Sequence, residues 1–127
     1  MNDLAIAWLD ALRSGKYKQG NGKLLGDNFA YCCLGVACDL FQKMYGEGEW
    51  VEACSGESGF RFSIDGESER GRLPVRVKNA LGLAERDGGY HDKDNNRYTT
   101  LLAQNDDGVP FSEIADIIEA EPEGLFV

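Results

Sequence analysis

Two basic stretches stand out in an acidic chain. Arg13, Lys16, Lys18 and Lys23 crowd one short segment, and Tyr17 and Gln19 add a stacking ring and a hydrogen-bonding amide. Gly15, Gly20 and Gly22 leave the backbone amides of that segment open to close approach. Arg70, Arg72, Arg76 and Lys78 form a second cluster around the start of a predicted helix at Leu73-Pro74. Guanidinium groups and helix N-termini suit phosphate, so the two clusters together predict a site for a small phosphate-bearing ligand. The competing expectation is that these are solvated loop charges that balance the acidic surface.

Cysteine supplies a second chemistry. Cys32 and Cys33 fall where a strand-like segment turns into a helix, a position that lowers a thiol's pKa. With the sole histidine, His91, downstream, the order resembles papain-like cysteine hydrolases. The local residues are Tyr-Cys-Cys-Leu-Gly and not the Asp-Cys-Ser-Gly usual in that class, and buried structural cysteines are common. Catalysis by Cys33 or Cys32 with His91 is therefore the alternative, and binding without catalysis is the first expectation. Metal chemistry has weaker support. The four cysteines lack paired Cys-x-x-Cys spacing. Asp92-x-Asp94-x-Asn96 opens like a calcium loop, but Arg97 and Ala103 fall where that loop wants glycine and glutamate. No metal and no cofactor are expected.

A chain of 127 residues, 43% hydrophobic, predicts one domain, 1–127, with a real core. Net charge is −9, from 13 basic and 22 acidic residues. That sign disfavours binding to nucleic-acid phosphates, so no specific nucleic acid is expected. No apolar run is long enough for a bilayer, and the first residues lack the basic start and apolar core of a secretory signal. A cytoplasmic location with reduced thiols is the resulting expectation.

The elements that must position these groups centre on residues 31–46, the most apolar stretch. Cys33, Leu34, Ala37, Leu40, Phe41 and Met44 recur at helical spacing, Gly46 is a left-handed stop, and Gly35 and Ala37 invite close approach. Residues 3–14 predict an amphipathic helix capped by Asn2 or Asp3, with Trp8 anchoring it on the central helix. Hairpins are expected over 24–31 and over 50–64, around a turn at 55–59. Residues 65–72 and 87–96 read as loops. Further helices are expected from Leu73-Pro74 to Leu81, over 97–104 with Tyr98, Leu101 and Leu102 facing inward, and from a cap at Ser112 or Asp107 to before Pro122. The last two hint at helix-turn-helix, but the acidic final helix suits a DNA groove poorly. The sum is an α+β class: four to five helices around a buried central helix, with short antiparallel hairpins.

The pattern Trp8…Ala11-Leu12-Arg13-Ser14-Gly15-Lys16-Tyr17-Lys18-Gln19, then Tyr31-Cys32-Cys33-Leu34-Gly35-Val36 and Asp39-Leu40, resembles a family of small accessory proteins of tailed bacteriophages and prophages. Leu81-Gly82-Leu83 and Asn105-Asp106-x-Gly108 before Phe111 and Ile114-Ala115-Asp116 extend the likeness over most of the chain. The resemblance implies action in the host cytoplasm, with counter-defence as its context. The expected partner is a phosphate-bearing ligand, held by Arg13, Lys16, Tyr17, Lys18, Gln19, Arg70, Arg72 and Arg76, or else a host protein. The chain leaves room for a homo-oligomer.

Overall fold

The computed structural model describes residues 1–54 and 56–127, so Ser55 of the expected 55–59 turn lies outside the described residues. Five helices are α1 (Asp3–Arg13), α2 (Cys33–Tyr45), α3 (Val75–Leu81), α4 (Leu101–Asp106) and α5 (Phe111–Glu119). Strands β1 (Glu49–Glu52), β2 (Phe60–Ile64) and β3 (Glu67–Glu69) form one antiparallel sheet in that order, and β4 (Gly89–Asp92) pairs with β5 (Arg97–Thr100) in a second. The fold is α+β with a single core, as the sequence predicts.

The central helix is α2, and the physical reasons are those its sequence suggests. Residues 32–38 are all buried, and Gly46 ends the helix with φ 68°. Its outer face is less apolar than the spacing implies: Leu40 is half-buried and Met44 is 45% exposed. Gly35 allows the closest approach in the core. A Cβ there would collide with the carbonyl group of Leu24, so the loop before the helix runs directly over its first turn. On the other side α1 is capped by Asn2, whose side chain accepts from the Ala5 amide. Trp8 is fully buried, and its indole N–H donates to the Cys33 carbonyl at 2.8 Å. Burying such side chains contributes roughly 1.5–3 kcal/mol each, which makes Trp8 the joint between the two helices.

Neither α2 nor α5 carries its own cap. Cys32 and Pro110 stand at their N-cap positions without a side-chain hydrogen bond, which corrects the expected Ser112 or Asp107 cap. Two amide side chains from distant segments replace the missing caps. Asn105 is buried at the end of α4; its Oδ1 accepts from the Cys33 amide and from Gln19 Nε2, both at 3.1 Å. Its Nδ2 donates to the Gly20 carbonyl at 2.8 Å. Gln19 Oε1 accepts from the Phe111 amide at 3.0 Å, and Nε2 also donates to the Val109 carbonyl at 2.8 Å. Helix-start amides must be satisfied when buried, and here a bonded amide pair satisfies one in each helix.

Four expectations give way to local chemistry. Residues 65–72 are not a loop throughout. Asp65 and Gly66, at φ 54° and 82°, make a two-residue turn with both dihedrals positive, and β3 folds back on β2 so that Ile64 faces Glu67. Asp-Gly is the strongest short hairpin signal, and the polar Glu67-Ser68-Glu69 hides the strand because it lies at a sheet edge. Residues 87–96 likewise include a strand, β4, paired to β5. Helix 97–104 is displaced for the same reason. Arg97 to Thr100 are extended, Tyr98 is 58% exposed, and Thr100 caps a helix that starts at Leu101 by accepting from the Ala103 amide. Finally, the 24–31 hairpin dissolves into single bridges, Leu25 with both Tyr31 and Phe60, and Gln19 with Tyr31.

Two substitutions test this architecture by urea unfolding followed by circular dichroism. Gly35→Ala is expected to cost at least about 3 kcal/mol, because backbone and not a flexible side chain blocks the new methyl. Asn105→Ala is expected to cost about 3 kcal/mol, because it strands the Cys33 amide and the Gly20 carbonyl in the interior. Near-native stability in either variant would contradict the close approach or the shared cap.

Candidate functional site

Two clefts hold most of the chemistry that the fold brings together. The first, about 540 Å³, opens between the end of α1, the segment after it and the outer face of α2. Asp39 is its floor. It is only 6% exposed, and its carboxylate takes three donors: Tyr17 Oη at 2.6 Å, Lys43 Nζ at 2.9 Å and Trp50 Nε1 at 3.3 Å. Buried charge needs such partners. Burial, then the bond to Asp39, pushes the Tyr17 hydroxyl up to about 12. The Asp39 bond raises Lys43 above the ordinary lysine range, so its ammonium is fixed in the charged form. Lys43 Nζ also lies 5.5 Å from the Tyr17 ring centre. Tyr17, Tyr31, Trp50 and Phe62 follow one another edge to face, with ring centres 5.0, 6.0 and 5.0 Å apart. Lys16, Asp10 and Ser14 form the rim.

The second cleft, about 590 Å³, runs between the β4–β5 turn, α5 and residues 120–123. Tyr90, Val109, Ile117 and Pro122 supply apolar lining, and carboxylates dominate the rest. The segment that opens like a calcium loop is part of this wall: Asp92 accepts from the Asp94 amide and from Asn95, closing the turn, and the Asn95 amide holds the Asp92 carboxyl below its usual range. No group of three or more His, Cys, Asp or Glu side chains suited to a metal occurs among the described residues.

The predicted ligand residues scatter. Lys16 and Tyr17 line the first cleft. Arg13 reaches across to α5, pairing with Asp116 at 2.7 Å and Glu119 at 3.2 Å. Lys18 is exposed, and its carbonyl accepts from the Tyr31 amide. Gln19 is committed to the amide pair described above. Arg72 pairs with Glu69 at 3.4 Å, and Arg76 with Glu47 and Asp65 at 2.8 and 2.9 Å. Arg70 lies by the sheet; its Nε is buried without a partner among the described residues, and its carbonyl accepts from the Leu24 amide. Neither cleft draws on both basic stretches. Arg13, Arg72 and Arg76 bind the chain's own carboxylates. Sequence reasoning missed Asp39, Tyr31, Lys43 and Trp50. The i,i+4 spacing of Asp39 and Lys43, on an otherwise apolar helix, was the available signal.

The thiols are placed against nucleophilic use. Cys32, Cys33 and Cys38 are fully buried, and Cys33 Sγ donates to the Leu101 carbonyl at 3.7 Å. Burial pushes Cys32 up to about 11 and the other two well above the ordinary thiol range. The gain from the helix start is outweighed by desolvation. His91 lies on β4, beside the second cleft, with its Nδ1 3.7 Å from Glu123. Neither Cys32 nor Cys33 lines that cleft. Cys54, in contrast, is exposed. Iodoacetamide at neutral pH is therefore expected to modify one thiol per chain quickly and the other three only after denaturant is added, as counted by intact mass. A second fast thiol would put Cys32 or Cys33 back into the chemistry.

Among the described residues, no helix is long and apolar enough to cross a membrane. No curated protein and no solved structure is similar enough to this chain to count as a match. A family model matches residues 2–122, nearly the whole of the described fold, and the chain belongs to that family, Domain of unknown function (DUF8296).

Proposed function

We propose that this is a phage accessory protein that works in the host cytoplasm by binding, and that it captures a small planar ligand bearing phosphate, such as a nucleotide-derived signal. Counter-defence is the setting in which such capture would act. The observation that carries the reading is the convergence on the first cleft. Of its lining, all but Asp10 and Lys43 come from the two stretches whose pattern resembles the phage family: Ala11, Ser14, Lys16, Tyr17, Tyr31, Asp39 and Leu40.

The parts suit that ligand class. Lys43 directs donors to Asp39 and to Tyr17 Oη at 3.4 Å, and its side chain is 66% exposed, which leaves a third N–H for an anion. Lys16 has no ion pair among the described residues and stands at the rim. Asp39 is balanced by Lys43 and by two neutral donors, and with Asp10 and Lys16 at the rim the lining carries two carboxylates against two ammonium groups. Tyr17 is held by Asp39, and Tyr31 by edge-to-face contacts with Tyr17 and Trp50, which presets the aromatic wall and lowers the ordering cost of binding. The arginines of the second basic stretch have no part in this site.

Calorimetric titration with cyclic nucleotides and ADP-ribose derivatives tests the proposal. At least one is expected to bind, with Lys16→Ala weakening it by about tenfold or more, the worth of one charge-assisted hydrogen bond. Arg72→Ala with Arg76→Ala is expected to leave affinity unchanged. Silence across the panel, or binding that depends on the arginines and not on Lys16, would sink it.

A further inference from the structure

The second cleft points to a different occupant. We infer that the acid-rimmed groove between the β4–β5 turn and α5 is a docking surface for a basic, amphipathic segment of a partner protein.

The groove's floor is apolar where a surface helix would ordinarily be polar. Phe111, Ile114, Ala115 and Ile118 are the face of α5 that enters the core. Ile117 lies off that face, half-buried in the groove, with Val109 and Pro122 beside it. A partner's apolar side chains can cover this strip.

The rim sets the sign of the partner. Asp94, Glu113, Glu121 and Glu123 line the groove, and none has a lysine or arginine partner among the described residues. The lone lysine of the lining is Lys93. Of the other carboxylates in the lining, Asp116 is paired with Arg13. Carboxylates without lysine or arginine partners among the described residues thus ring an apolar hollow here. Charge complementarity calls for lysines and arginines flanking an apolar stripe. Nucleic-acid and membrane phosphates would be repelled by the same rim. A helix or strand of a basic protein supplies both halves of the match.

The test uses fluorescence anisotropy with the full chain and a labelled peptide of about 15 residues, in which Lys and Arg flank a Leu stripe at helical spacing. A peptide of equal charge with Ser replacing Leu, and spermine as competitor, are the controls. The Leu-striped peptide is expected to bind, about tenfold more tightly than the Ser peptide, and to weaken as salt rises. Glu113→Gln, Glu121→Gln and Glu123→Gln together are expected to lower affinity by about tenfold at low salt and to flatten the salt dependence. Ile117→Ser is expected to weaken binding at low and high salt alike. The exposed carboxylate variants keep the test valid should Ile117→Ser unfold. Failure of the Leu-striped peptide to bind overturns the inference. So does equal binding by the Ser peptide, full displacement by spermine at matched charge, or native affinity in the triple variant.

Discussion

The hydrogen-bonded pair of Gln19 and Asn105 is the constraint on which the fold turns. Two helices that begin at residues without capping side chains, Cys32 and Pro110, would otherwise bury bare amide groups. One pair meets both needs, and in doing so it fixes the 18–22 segment between α4 and α5. That placement orients the neighbouring residues of the chain. Tyr17 is set over Asp39, and Arg13 is brought to the carboxylates of α5. A polar interaction buried in an apolar core has little net worth when intact and a large cost when broken, so it specifies arrangement more than it adds stability.

The distribution of charge obeys the same need for partners. Arginine forks take two carboxylates at once: Arg76 holds Glu47 and Asp65, and Arg86 holds Glu67 and Glu69 while donating to the Leu73 carbonyl. These pairs stitch the three-stranded sheet to α3 and to the segment beyond it. Exposed pairs of this kind contribute little each, about 0–1 kcal/mol, but they remove arginine from the surface as a recognition element. Lys16 and Lys43 stand at the α1–α2 cleft, and carboxylates without lysine or arginine partners among the described residues stand at the other.

Much of the architecture is legible in the chain itself. The apolar 31–46 run, the Asn2 cap, the Trp8 anchor and the Gly46 stop all act through nearest neighbours in sequence or along a helix face, which is where periodicity has power. Gly35 was legible as a place of close approach, though not the segment that approaches it. The misread segments share a cause. Glu67-Ser68-Glu69 and Arg97-Tyr98-Thr99-Thr100 are edge or exposed strands without an alternating apolar face, and they are fixed by a turn and by a cap instead. The site was half legible. Lys16 and Tyr17 could be picked out by composition, but a basic run says nothing about which charges find carboxylates after folding. Arg13 meets Asp116 across more than a hundred residues, and no local pattern announces such a meeting.

Trp8 and Trp50 divide the chain's ultraviolet emission between two unlike settings. Trp8 is sealed in the interior with its indole bound to a peptide carbonyl. Trp50 is half-buried, with its indole shared with the Asp39 carboxylate and its ring edge-on to Tyr31. Light from the first indole reports whether the molecule is folded; light from the second changes with anything that disturbs the Asp39 carboxylate. The protein thus carries separate intrinsic dyes, one for its interior and one for the surroundings of Asp39.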